Sequence, residues 1–237
     1  MKTLPLATAL LLTALIASAQ EDIDVFSDEF GFDEIVITLF SPMLPSDDEI
    51  KGPRYLDENW ASGTLTVALG THRQDISFDM IRYHIENDLV EVYHEDQILG
   101  AEGKAVKRMD ITDFSTGDKR SFIRLEDIET YSSEDKTGMC ELLADGDVKL
   151  IRTFDVEIQE ANYDAALDVG EKEDKMIILS QTYLVKGGLF IKVKGKGDLI
   201  SLLDDVDIKG YMKKNKLSHK NESDLAQIID YYNKEIN

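Results

Sequence analysis

Ile81-Arg82-Tyr83-His84-Ile85-Glu86-Asn87-Asp88-Leu89-Val90-Glu91-Val92-Tyr93-His94 reads as a β-hairpin. With Asn87-Asp88 as a two-residue turn, Ile85 faces Val90, His84 faces Glu91 and Tyr83 faces Val92. Ile81, Tyr83, Ile85, Val90 and Val92 then share one face, and Arg82, His84, Glu86, Leu89 and Glu91 share the other. Asn and Asp tolerate the positive φ that a tight hairpin turn demands. A one-residue slip would send every side chain to the wrong face, so the alternation specifies the pairing.

The same signals repeat on both sides of this hairpin. Upstream, residues 34–40, Glu-Ile-Val-Ile-Thr-Leu-Phe, form a β-branched run that predicts a first strand. Residues 64–69 alternate with Leu65, Val67 and Leu69 inward. Residues 75–80 alternate too, and the phase breaks between Met80 and Ile81, which predicts a bulge there. Downstream, residues 108–114 and 119–125 flank the turn Ser115-Thr116-Gly117-Asp118. Residues 139–143 and 148–158 flank Asp145-Gly146, and residues 176–185 and 189–193 flank Lys186-Gly187-Gly188. Successive hairpins without a long amphipathic helix between them predict a meandering antiparallel sheet. Near Lys194 the period changes from two to about 3.6. Residues 198–203 and 207–217 read as helices. Asn221-Glu222-Ser223-Asp224 reads as the cap of a third, with Leu225, Ile228, Ile229 and Tyr232 at helical spacing. The expected fold class is α+β and mainly antiparallel β: a meandering sheet or half-barrel with a short C-terminal helical bundle.

The N-terminus reads as a secretory signal peptide. A basic start at Lys2, an apolar run from Leu4 to Ile16 and Ala17-Ser18-Ala19 place cleavage after Ala19. The run is shorter than the roughly 20 residues of a spanning helix. The expected division is therefore a signal peptide at 1–19, an acidic leader at 20–34, an antiparallel β domain at 35–193 and a helical segment at 194–237. This organisation predicts a mature protein without a transmembrane segment, located in the periplasm or secreted. The leader is half acidic yet carries Val25, Phe26, Phe30 and Phe32, so it reads either as a solvated tail or as an arm that docks its aromatics.

The net charge of −21 is unevenly spread. Residues 20–185 hold 39 acids against 15 bases, whereas residues 186–237 hold 8 against 10. Such an acidic body repels phosphate backbones, so nucleic acid is not an expected partner. The single cysteine, Cys140, cannot close an internal disulfide, and its apolar neighbours mark it as structural.

The motifs of catalysis and metal binding are missing. No loop has calcium-binding spacing: the nearest, which starts at Asp205, puts Lys209 and Lys216 at ligand positions. There is no His-Glu-x-x-His, no Gly-x-Ser-x-Gly and no phosphate-binding glycine loop. His84 and His94 fall on opposite faces of the hairpin and cannot share a metal. Among 47 acids, pairs of carboxylates arise by chance. No catalytic residue, metal site or cofactor is therefore expected. The residues nominated for ligand binding are Trp60, Tyr55 and Tyr93, as a platform for a sugar or peptide. Tyr83 is inward by register and is left out of the platform.

Trp60 ahead of a Gly-led strand, the Arg82-Tyr83-His84-Ile85 hairpin, residues 163–170 and Gln181-Thr182-Tyr183-Leu184-Val185-Lys186 recur together in one group, as do residues 211–217 and 230–233. In these the chain resembles a family of uncharacterised secreted proteins of Bacteroidetes-type bacteria. The resemblance implies export and a β-rich body with a helical tail, and it supplies no catalytic residue. His84 stands where the family pattern has Asn. The expected function is that of an exported non-enzymatic envelope protein with a binding or structural role. Its partner would be an envelope protein or an apolar or glycan ligand. The alternatives are a periplasmic carrier of an apolar ligand such as a lipid or lipoprotein acyl chain, a reading from fold analogy, and a hydrolase.

Overall fold

The computed structural model describes residues 31–43, 50–128, 137–163 and 167–236. The expected signal peptide and most of the expected acidic leader lie outside these residues. Among the described residues, eleven strands form one antiparallel sheet, preceded by one α-helix and followed by three. In chain order they are α1 (Phe32–Leu39), β1 (Ser41–Pro42), β2 (Ala61–Leu69), β3 (His72–His84), β4 (Leu89–His94), β5 (Gln97–Glu102), β6 (Val106–Asp113), β7 (Lys119–Arg124), β8 (Met139–Ala144), β9 (Val148–Gln159), β10 (Lys175–Lys186), β11 (Leu189–Ile191), α2 (Lys196–Leu202), α3 (Ile208–Asn215) and α4 (Glu222–Ile236). The sheet order, β1-β5-β4-β3-β2-β6-β7-β8-β9-β10-β11, is a meander in which β2 pairs with both β3 and β6. The fold is α+β and mainly antiparallel, as the succession of hairpin signals requires.

The central hairpin has the expected faces but a register displaced by two. Tyr83 pairs with Val90 and Ile81 with Val92, so the loop has four residues, 85–88. A two-residue turn of the favoured type needs positive φ at both Asn87 and Asp88, and of the two only Asp88 has it, at 48°. Because strands have period two, this displacement preserves the inward set. It does change the neighbours: Glu91 opposes Arg82, and His84 opposes Leu89. The bulge is present. Ala61 pairs with Ile81 and Gly63 with Phe78, which leaves Asp79 and Met80 opposite Ser62 alone. Burial changes phase across it, from Ile76 and Phe78 to Ile81 and Tyr83.

The first expected strand is a helix. Residues 34–40 fall mostly within α1. Ile35, Val36 and Phe40 are buried and Leu39 is partly buried, whereas Ile37 is 82% exposed. That is the i, i+1, i+4, i+5 pattern of a helix lying on a core, and packing overrides the β propensity of Ile-Val-Ile. The helix covers the inner face of the sheet, where Leu65, Val67, Phe78, Ile81, Tyr83, Val92, Met109 and Phe122 converge.

The sheet curls strongly. The Tyr83 hydroxyl of β3 accepts the Met139 N–H of β8 at 3.1 Å, although three strands lie between them. In a flat sheet that separation would be roughly 19 Å at about 4.8 Å per strand. Across the same gap, Arg124 places Nη1 at 2.7 and 2.8 Å from the two Asp88 oxygens. Residues 50–56 run as a strap over the remaining opening. The Lys51 carbonyl accepts the Met176 N–H at 2.7 Å on the outer edge of β10. Farther along, Leu56 donates to the Tyr83 carbonyl and Ile85 donates to the Arg54 carbonyl, each at 2.9 Å. Gly52 permits this approach: its φ is 137°, and a Cβ there would lie 2.3 Å from the Met176 carbonyl oxygen. The result is a half-barrel with a strap.

The helical bundle closes the other end. Leu199, Leu203, Ile208, Met212, Leu225, Ile228, Ile229 and Tyr232 pack on Ala144, Val148, Leu150 and Leu184. The Asn221 side chain caps α4 by accepting the Asp224 N–H at 2.9 Å. Asn233 locks α4 to the β8–β9 turn. Its Oδ1 accepts the Val148 N–H at 3.0 Å, and its Nδ2 donates to the Val148 and Asp145 carbonyls at 2.8 and 3.0 Å. Helices of seven, eight and fifteen residues are marginal in water alone. Truncation after Val193 should therefore expose Leu150 and Leu184 and cause aggregation. In the intact protein the amides from Leu225 to Tyr232 should be strongly protected from hydrogen exchange. Random-coil exchange there would contradict the packing. Among the described residues no helix is long and apolar enough to cross a membrane.

Candidate functional site

Two of the three nominated aromatic residues meet, but around an arginine. The Arg82 guanidinium carbon sits 3.9 Å from the Tyr55 ring centroid and 4.2 Å from that of Trp60. Arg82 also places Nε 2.8 Å from Glu91, a carboxylate that is only 3% exposed, and Tyr55 donates its hydroxyl to the same carboxylate at 3.2 Å. Burial, followed by the charge of Glu91, raises the Tyr55 pKa and keeps that hydroxyl a donor. One face of each ring is thus used to clamp the strap onto β3 and β4. Tyr93 is not part of this stack. It is 40% exposed and donates its hydroxyl to Asp96 at 3.3 Å.

The histidines stand on opposite faces of the hairpin. His84 is 6% exposed instead of solvated, because Tyr55 of the strap lies edge-on over it at 4.9 Å. Its Nδ1 accepts the Asn87 N–H at 3.3 Å. His94 lies at 5.3 Å from the Phe32 ring and 6.4 Å from Phe78. Cys140 is fully buried, and burial pushes its thiol up to about 12, well outside nucleophile range.

Glu141 is a buried charge on the inner face. It is 4% exposed and accepts from Arg120 at 2.8 and 3.0 Å and from Arg152 at 2.5 and 3.1 Å. Arg152 continues to Glu222 of α4 at 2.7 Å, and Glu222 also accepts the Thr182 hydroxyl. Burial acts to raise the Glu141 pKa, but hydrogen bonds and charge from the two guanidinia hold it below the ordinary value. The chain Arg120–Glu141–Arg152–Glu222 ties three strands to α4. Arg120, Glu141 and Arg152 lie two residues from, and in phase with, the inward Phe122, Met139 and Leu150, so strand phase could have identified the chain as facing inward.

A cleft of about 790 Å³ lies on the outer face of the sheet. Its floor is Ile123, Ile128 and Val185, which belong to a small core with Leu125, Cys140 and Ile151. Arg73, Lys107, Arg108 and Lys149 stand around it, together with Asp127 and Asp147. These cations are matched locally. Asp127 takes Lys107 at 3.3 Å and Arg73 at 3.9 Å, Asp110 takes Arg108 at 2.7 Å, and Asp145 takes Lys149. An apolar floor inside a ring of balanced charge suits a small amphiphile with polar or zwitterionic ends, and the volume falls in the range of ligand sites, about 300–1,000 Å³. A smaller recess of about 320 Å³ opens at the mouth of the curl, between Tyr83 and Ile85 on one side and Phe154, Val156 and Met176 on the other. Comparison with protein-family models, with curated proteins and with solved structures found no match to this chain.

Proposed function

We propose that this chain is an exported, non-enzymatic binding protein of the bacterial cell envelope that takes a small amphiphilic ligand in the cleft on the outer face of its sheet. The observation that carries the reading is the apolar floor of Ile123, Ile128 and Val185 within a ring of paired charges. The leader-like residues 1–19 and the resemblance to secreted Bacteroidetes-type proteins support export. A binding role is favoured over hydrolysis because Glu141 and Glu222 share Arg152 and the Cys140 thiol is buried. A second reading, a carrier of an apolar ligand, draws on the mouth of the curl, where Ile158 is 48% exposed beside Phe154 and Met176.

Native mass spectrometry of protein exported by its own leader tests the proposal. The polypeptide mass should begin at Gln20, and a near-stoichiometric small-molecule adduct should be released on denaturation. Retention of Met1 in the exported form would overturn the export reading, and an adduct-free protein would overturn the binding reading.

A further inference from the structure

The geometry points to a phosphate-binding groove between the end of the sheet and the start of α4, separate from the outer cleft. The groove has a volume of about 370 Å³. Its walls come from two lysine-rich stretches distant in sequence: Lys192 and Lys194 follow β11, and His219 and Lys220 precede α4. Leu150, Leu184 and Leu225 of the C-terminal core form its apolar base.

The lysines of this groove carry no ion pair among the described residues, unlike many of the chain's other cations. Elsewhere on the chain, Lys51, Arg54, Arg82, Lys107, Arg120, Arg124, Lys149 and Arg152 all sit on carboxylates. Lys192 donates to the neutral side-chain oxygen of Gln181. Lys194 and Lys220 have no ion pair among the described residues. The carboxylate in the lining, Glu222, is already held by Arg152 and the Thr182 hydroxyl. Three lysines therefore line one recess whose carboxylate is already engaged, on a chain with net charge −21.

Like charges held together repel one another, and an anion between them removes that cost. A phosphate carries about −1.5 to −2 charges and three strong acceptor oxygens, which suits three point-charge donors on two walls of one groove better than a carboxylate does. The acidity of the body does not forbid the contact. At physiological ionic strength charges separated by more than about 8 Å are largely screened, so the local lysines dominate. The phosphate would belong either to a soluble phosphorylated compound or to a lipid headgroup.

The test uses the mature chain and a Lys192→Gln/Lys194→Gln/Lys220→Gln variant, all three sites being exposed. Inorganic pyrophosphate is titrated while backbone amides are followed by NMR, and sedimentation is measured with phosphatidylglycerol and with phosphatidylcholine vesicles. The expected result is saturable shifts at residues 192–196 and 218–224, with affinity at least tenfold weaker in the variant, whose denaturation midpoint should be unchanged. Lysine-dependent sedimentation with phosphatidylglycerol alone would assign the phosphate to a headgroup, and a pyrophosphate response alone would assign it to a soluble compound. A response unaffected by the triple substitution, or no lysine-dependent response to either probe, would overturn the proposal.

Discussion

Replacement of Tyr83 by Ala should destabilise the protein by about 3–5 kcal/mol, the usual cost of deleting a buried aromatic side chain. Tyr83 is 3% exposed in the inner core, and its hydroxyl joins both sides of the curl by donating to Asp88 at 2.8 Å and accepting from Met139 at 3.1 Å. Burial raises its pKa, so the hydroxyl keeps its proton for Asp88. Tyr83→Phe keeps the ring and removes only these bonds, leaving the Met139 N–H without its partner, and should cost about 1–3 kcal/mol. Urea midpoints of the two variants separate the packing contribution from the hydrogen bonds. A neutral Tyr83→Phe would show that the contact between β3 and β8 does not hold the curl. His84→Ala serves as the comparison. A solvent-facing histidine would make it nearly neutral, but the strap over His84 predicts a measurable loss of about 1–2 kcal/mol.

Replacement of Glu141 by Ala should cost about 3 kcal/mol, towards the lower end for breaking a buried ion pair, because both arginines keep some contact with water. It would leave Arg120 without its carboxylate and Arg152 with Glu222 alone. The pH dependence follows from the lowered Glu141 pKa. A carboxylate whose folded-state pKa is depressed binds fewer protons in the native state. Its contribution is fully present above the unfolded value of about 4.3 and is lost as pH falls through the folded value. Chemical denaturation of wild type and Glu141→Ala between pH 3 and pH 7 should therefore show two curves that converge on acidification. A constant difference across that window would place the loss in packing.

The hairpins were legible because each carries its own local signal: alternation on both arms and a Gly, Asn or Asp turn between them. The C-terminal helices were legible from the change of period and from Asn221. Three features were not. Helix α1 is encoded by which residues are covered, Ile35 and Val36 but not Ile37, and that depends on the sheet beneath it. The strap has no periodicity, and it is held by pairs such as Lys51 with Met176 that lie far apart in the chain. The unread strap accounts for the misplaced His84, and one face each of Tyr55 and Trp60 is occupied by Arg82. The outer cleft brings together β6, β7 and β10, so no single stretch reveals it. The excess of bases after Lys186 was visible as a count, but the meeting of Lys192, Lys194 and Lys220 at one groove required the docking of α4 on β8 and β9.

The central claim is that the outer cleft holds the ligand, and native mass spectrometry of exported variants tests it most directly. Thr66→Trp places a bulky ring at the cleft, whereas Val156→Trp obstructs the mouth of the curl. Thr66 lies on the sheet surface and gives up one exposed hydrogen bond to Asp75, so the variant should stay folded. The account predicts that the wild-type adduct is lost from Thr66→Trp and kept by Val156→Trp, with similar denaturation midpoints for wild type and Thr66→Trp. An adduct that survives Thr66→Trp and disappears from Val156→Trp would contradict it and move the ligand inside the half-barrel.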